Sequence, residues 1–276
     1  MIAVEIPREA GTIHVEIRGE GPLVLCVPGM GETHAAFRHL VPGLVAAGFR
    51  VASMDLRGHG ASSTTFDSYD DLAAAGDALA VLEGIGADRA ALVGSSMGAA
   101  AAVLAAFRAP GLVSHLVLIG PFVRDRGSAL TRTVTRLGLV LALAGPWGRS
   151  VWRRYYPSLF GQCVPADHQE HVERSLSLLD DPDRWRAFRR TTGTSHAPAE
   201  EALPGVHAPT LVVMGSRDPD FPDPGAEARW VAGALGGDVV MVPGAGHYPM
   251  GEEPDVVLGA VLPFLESSRQ EGDQRG

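Results

Sequence analysis

Gly94-Ser95-Ser96-Met97-Gly98 sets a hydroxyl between two glycines, directly after the apolar run 90–93 and directly before an alanine-rich stretch. A strand-to-helix turn needs this arrangement if its central side chain is to stand above the edge of a sheet. The central residue must adopt a strained backbone conformation, and side chains at the flanking glycines would collide with neighbouring backbone. The helix that follows offers unpaired N–H groups and a positive dipole end to developing negative charge. Ser96 is therefore the candidate nucleophile. Ser95, one position early, is not.

A serine hydroxyl needs a positioned base, most often a histidine held by a carboxylate. Of the ten histidines, His247 stands in Pro243-Gly244-Ala245-Gly246-His247-Tyr248-Pro249, a loop that follows the last strand-like run. The glycines before it would let the loop reach toward Ser96. For the orienting carboxylate, Met214-Gly215-Ser216-Arg217-Asp218 places Asp218 at the end of a strand starting at Thr210. Asp220 is its rival, and Asp223, just before Pro224, suits a helix N-cap. Acyl transfer also needs two N–H donors aimed at a tetrahedral oxygen. The amide of Met97 supplies one, and Met30, in Pro28-Gly29-Met30-Gly31-Glu32, is the choice for the second.

These residues need a sheet whose strand ends converge. Seven strands are read at 12–17, 23–27, 50–55, 90–94, 115–119, 210–214 and 239–242. Several are continuously apolar, as strands covered on both faces should be. Helical stretches at 33–47, 69–85, 97–109, 225–234 and 255–266 alternate with them. The expected fold is α/β, a mostly parallel eight-stranded sheet flanked by helices. The first two strands read are expected to pair as an antiparallel edge through their short connection. Between 122 and 200 the alternation stops, and Trp147, Trp152, Tyr155 and Trp185 gather among Pro146, Pro157, Pro165 and Pro182. This segment is read as a helical cap inserted in a core formed by 1–121 and 201–268, with those four aromatics as candidate pocket residues. The alternative is a plain helical extension. Residues 269–276 are polar and aperiodic and are expected to be disordered.

Composition removes other classes. A formal charge of −9 without a Lys/Arg-rich run argues against a nucleic-acid partner. The most apolar later stretch, 137–144, is far short of the roughly 20 residues needed to span a bilayer, so no membrane partner is expected. The start of the chain lacks a signal-peptide pattern, and a cytoplasmic location is expected. Cys26, inside an apolar run, reads as a core thiol, and neither it nor Cys163 belongs to a Cys-x-x-Cys pair.

Together with Asp55-Leu56-Arg57-Gly58-His59-Gly60-Ala61-Ser62, these loops make the chain similar to the α/β-hydrolase superfamily over nearly its whole length. The resemblance implies a hydrolase that needs no cofactor, with no metal ligand, and with Ser96, Asp218 and His247 as the triad in chain order. It also implies that the segment from Asp55 to Ser62 is structural, so His59 is not the base. One departure is Pro28-Gly29, where members often carry His-Gly. Dehalogenases and epoxide hydrolases of this fold use a carboxylate at the position of Ser96, which leaves acyl chemistry. The expected activity is cleavage of a carboxylic ester or lactone of a small or medium apolar substrate. Carbon–carbon hydrolysis, thioester hydrolysis and perhydrolysis are alternatives on the same triad. A ligand-binding protein without turnover is the reading from another class. The only partner expected is a small-molecule substrate.

Overall fold

The computed structural model describes residues 1–273. Eight strands form one sheet: β1 (Ile2–Arg8), β2 (Gly11–Arg18), β3 (Leu23–Val27), β4 (Arg50–Met54), β5 (Ala90–Ser95), β6 (Val113–Ile119), β7 (Thr210–Gly215) and β8 (Asp238–Val242). Their order is β1-β2-β4-β3-β5-β6-β7-β8. The pairs β1–β2 and β2–β4 are antiparallel and all the others parallel. Two sequence expectations are corrected here. Strand β1 was not anticipated, because only Ile6 is buried along it and Pro7 interrupts the pattern. Strands β2 and β3 do not pair, since β4 lies between them and the antiparallel edge is a β1–β2 hairpin.

The central strands are apolar throughout because helices cover both faces. Along β3, Leu23, Leu25 and Val27 join the core on one face, while Val24 and Cys26 join the other. Burial pushes the Cys26 thiol up to about 12, against a smaller opposing pull from its hydrogen bond with Ser53. It is an inert core group.

The helices are α1 (Leu40–Ala46), α2 (Asp71–Gly84), α3 (Met97–Arg108), α4 (Ala129–Ala144), α5 (Gly148–Tyr155), α6 (His168–Leu178), α7 (Pro182–Thr191), α8 (Ala197–Ala202), α9 (Pro224–Leu235), α10 (Pro249–Glu252) and α11 (Pro254–Asp273). The expected helix at 33–47 divides into a 3-10 turn, His34–Phe37, and α1. In α3 every residue from Met97 to Ala106 is buried, and its run of alanines lets it lie close between the sheet and α2. Helices α4 to α8 fill the long connection from β6 to β7. Of these, α8 packs onto the core with α2 and α3 through Ala199 and Ala202. Helix α11 continues through Asp273, so 269–273 of the expected unstructured tail is helical; 274–276 lie outside the described residues. Among the described residues no helix is long and apolar enough to cross a membrane.

The chain runs from β3 outward to β4, then crosses back to β5 on the other side of β3. Parallel sheets open a crevice at their carboxyl ends where the strand order reverses in this way. The loop after β3 and the turn after β5 therefore meet.

Candidate active site

Ser96 occupies that turn, between β5 and α3, with φ 55° and ψ −122°. It is the one non-glycine residue with positive φ among the described residues. Such a conformation costs a residue with a Cβ about 1–2 kcal/mol, and the surroundings must hold it. They do so tightly. A Cβ on Gly94 would meet the Gly98 carbonyl oxygen at 2.4 Å, and one on Gly98 would meet the Val27 oxygen at 2.1 Å. The Ser96 amide also donates to the Ile119 carbonyl at 2.9 Å, tying the turn to β6.

His247 and Asp218 come together from the loops after β8 and β7. The imidazole Nδ1 lies 2.7 Å from Oδ2 of Asp218, with both residues 2% exposed. Asp220 stands further off, its Oδ2 3.7 Å from the same nitrogen. Geometry thus separates the rivals in favour of Asp218. Asp223 instead caps α9, accepting from the Ala226 amide at 2.8 Å. Burial pushes the His247 imidazolium down, but the charge and hydrogen bond of Asp218, helped by Asp220 and Glu252, outweigh it and raise the pKa to about 9. With Nδ1 engaged by a carboxylate, Nε2 is the nitrogen left to take a proton.

Ser96 and His247 line one cavity of about 470 Å³, within the range for small-molecule sites. Met97 and Met30, the expected oxyanion donors, line it too. The loop carrying Met30 lies against Ser96: a Cβ on Gly29 would come within 2.6 Å of the Ser96 Cβ. Gly29→Ala is accordingly expected to displace the hydroxyl or the loop and lower kcat/KM by about 10²-fold. Steady-state kinetics beside a thermal melt would separate this from unfolding.

Of the four aromatics read as pocket residues, the structure brings Trp152 and Tyr155 to the cavity and keeps Trp147 and Trp185 away from it. Trp147 is 57% exposed and folds back over Gly145. Trp185 is buried among the inserted helices, stacked on Phe188 at 5.3 Å with the Arg149 guanidinium 5.4 Å from its ring. Helical spacing did not reveal which face of each short helix would turn inward. The segment from Asp55 to Ser62 is held as structure. Buried Asp55 accepts from the amides of His34 and Ala61, and Arg57 forms a bidentate pair with Asp77 at 2.7 Å through each nitrogen. His59 is buried against Phe188, outside the cavity lining.

Two positioning carboxylates escaped the sequence reading. Glu252, in α10, accepts from the amides of Gly246, Gly161 and Tyr248, and so shapes the loop that carries His247. Glu32, in the loop after β3, is 1% exposed and accepts from the Tyr156 hydroxyl, with His171 Nε2 3.3 Å away. That cluster fastens the inserted helices to the loop bearing Met30. Neither pairing leaves a periodic signal, since each joins residues from different elements. Tyr156→Phe removes a donor from buried Glu32 and is expected to cost about 1–3 kcal/mol. A melt should show Tm lowered by roughly 3–10 °C.

Comparison with known proteins places this arrangement in a family. Residues 24–260 match the alpha/beta hydrolase family. The 2-(acetamidomethylene)succinate hydrolase of Mesorhizobium japonicum is 28% identical over 93% of this chain and 92% of its own. The 2-hydroxy-6-oxononadienedioate/2-hydroxy-6-oxononatrienedioate hydrolase of Comamonas testosteroni is 28% identical over 92% and 91%. Among solved structures, a bromoperoxidase from Bacillus anthracis superposes with a TM-score of 0.84 at 20% identity, covering 96% of this chain and 99% of that one. The match to the family spans most of the chain and includes the strand ends where Ser96, Asp218 and His247 stand: the protein belongs to the α/β-hydrolase family and is a hydrolase.

Proposed function

We propose that this hydrolase cleaves a carboxylic ester or lactone through an acyl-enzyme on Ser96. The observation that carries the reading is the shared cavity. It brings the strained Ser96 and the Asp218-bound imidazole of His247 to one small, mainly apolar space. In the first step His247 Nε2 takes the proton from the Ser96 hydroxyl as its oxygen attacks the carbonyl carbon. The oxyanion that forms is stabilised by the Met97 and Met30 amides, the former at the start of α3 where the helix dipole also favours negative charge. Collapse expels the alcohol, which receives its proton from the imidazolium. Water, deprotonated by the same nitrogen, then releases the acid and restores Ser96. Throughout, Asp218 holds the ring orientation and balances the imidazolium charge.

The helices between β6 and β7 act as the cap in this reading, since Leu139, Leu143, Val151, Trp152 and Tyr155 roof the cavity over Ser96. An apolar roof excludes water and strengthens the electrostatic terms beneath it. Rapid mixing with a p-nitrophenyl ester of a short acid tests the proposal. A burst of nitrophenol equal to the enzyme concentration, or steady turnover with acyl transfer to added nucleophiles, is expected. Absence of both, with no inactivation by a fluorophosphonate, would refute it.

A second reading has one observation behind it. The Comamonas testosteroni relative is named as a hydrolase of an oxo-dienedioate, which points to carbon–carbon cleavage. The same triad would then serve a ketone, and ester turnover would be slow beside that reaction.

A further inference from the structure

Among the polar groups that line the mainly apolar cavity are two for which ester cleavage has no use. The first is Arg126, in the segment after β6. Its Nη2 donates to the Asp220 carbonyl at 2.6 Å, and its guanidinium carbon lies 4.5 Å from the ring centre of Phe221. Among the described residues it has no carboxylate within ion-pair distance, and its Nε and Nη1 make no hydrogen bond. Arg124, two residues earlier, shows the contrast: both of its donating nitrogens are taken by Glu227, at 2.9 and 2.6 Å. A half-buried cation facing a mainly apolar space without an ion-pair partner is an unfavourable arrangement that an anionic ligand would complete.

The second group is His196. Its Nδ1 lies 2.7 Å from Oδ2 of Asp71, a carboxylate 0% exposed at the start of α2. Its backbone amide donates to Asp125 at 2.9 Å, and Asp125 also accepts from the Ser195 hydroxyl. Asp71 thus fixes the ring and Asp125 the backbone that carries it, while Nε2 has no hydrogen-bond partner among the described residues. The ring lines the same cavity as Ser96. This is the geometry of an oriented imidazole without a task in the triad.

Phe122 relates both groups to the catalytic base. Its ring centre is 5.7 Å from that of His247, 5.7 Å from that of His196 and 5.9 Å from the Arg126 guanidinium carbon. The cation and the second imidazole therefore stand one aromatic ring away from His247, within reach of a small substrate bound at Ser96. Asp218 and Asp220 nearby oppose a dianion, which favours a single carboxylate over a phosphate.

We propose that Arg126 and His196 form a carboxylate subsite, so that the substrate is an acyl compound carrying a carboxylate a few bonds from the carbonyl that Ser96 attacks. The proposal rests on the acyl-enzyme reading and names its substrate class. Arg126 supplies planar paired donors, and His196, its Nδ1–H held by Asp71, donates a third from Nε2 in its imidazolium form.

The test compares kcat/KM for two esters of similar size, p-nitrophenyl butyrate and the mono-p-nitrophenyl ester of succinic acid. The wild-type enzyme should prefer the anionic ester. Arg126→Gln should lower the anionic-to-neutral ratio roughly 10–100-fold, mainly through KM, with Arg126→Lys recovering part of it. His196→Gln should lower the same ratio by a smaller factor. Cleavage of both esters with a ratio that Arg126→Gln leaves unchanged would overturn the subsite while leaving the acyl-enzyme standing. Cleavage of neither would remove the acyl-enzyme reading and the subsite with it.

Discussion

Ser96→Ala is expected to lower kcat for a p-nitrophenyl acyl ester by about 10⁴–10⁶-fold. No other hydroxyl shares its position at the strained turn between β5 and α3, with His247 lining the same cavity. What remains should be the residual catalysis of the oxyanion donors and binding. The strain supplies a second readout. With φ at 55°, Ser96 occupies a region that glycine enters freely. Ser96→Gly should therefore be as inactive as the alanine variant, yet more stable than the wild type by about 1 kcal/mol. Activity assays and denaturant melts on both variants check the pair of effects together. Loss of activity with loss of stability in both would mean that the turn serves folding and not chemistry.

Asp218→Asn is expected to lower kcat by about 10⁴-fold, because the amide would favour the wrong tautomer of His247 and cannot balance the imidazolium. Its pH dependence is equally telling. In the wild type burial pushes the imidazole down, but the Asp218 carboxylate outweighs it and lifts the pKa to about 9. The base works only when neutral, so kcat/KM should rise with pH through that value and fall as pH drops below it. Removing the charge at Asp218 leaves burial as the largest remaining influence. The acid limb of the residual activity should then move to lower pH. Profiles of kcat/KM from pH 5 to 10 for both proteins would show it. An unmoved limb would mean that His247 is not the titrating base, or that Asp218 is not what tunes it.

The strand-end positions of the candidate site residues were more legible than the pairing of the edge strands or the facing of the inserted helices. Ser96, Asp218 and His247 each follow a strand end, and a strand followed by a glycine-containing turn leaves a local signal. The central strands were readable because burial on both faces makes them continuously apolar. Strand β1 was not, since an edge strand with one buried side chain looks like a polar terminus. The short link from β2 to β3 suggested a hairpin, but β4 enters between them, and that insertion is decided by the whole sheet. Within the inserted helices, sequence located the aromatics without their facing. Trp152 turns to the cavity while Trp147, five residues earlier, stays in solvent. Glu32, Glu252 and Arg126 escaped for a common reason. Their meaning lies in partners, or in the lack of one, and spacing along the chain carries no record of either.

The central claim is that a covalent intermediate forms on Ser96, and mass spectrometry after treatment with a fluorophosphonate tests it most directly. The account predicts one adduct per chain, mapped to the peptide containing Ser96, with activity lost in proportion and no adduct on Ser96→Ala. An adduct on a different residue accompanied by loss of activity, or full turnover by an enzyme labelled at Ser96, would contradict it.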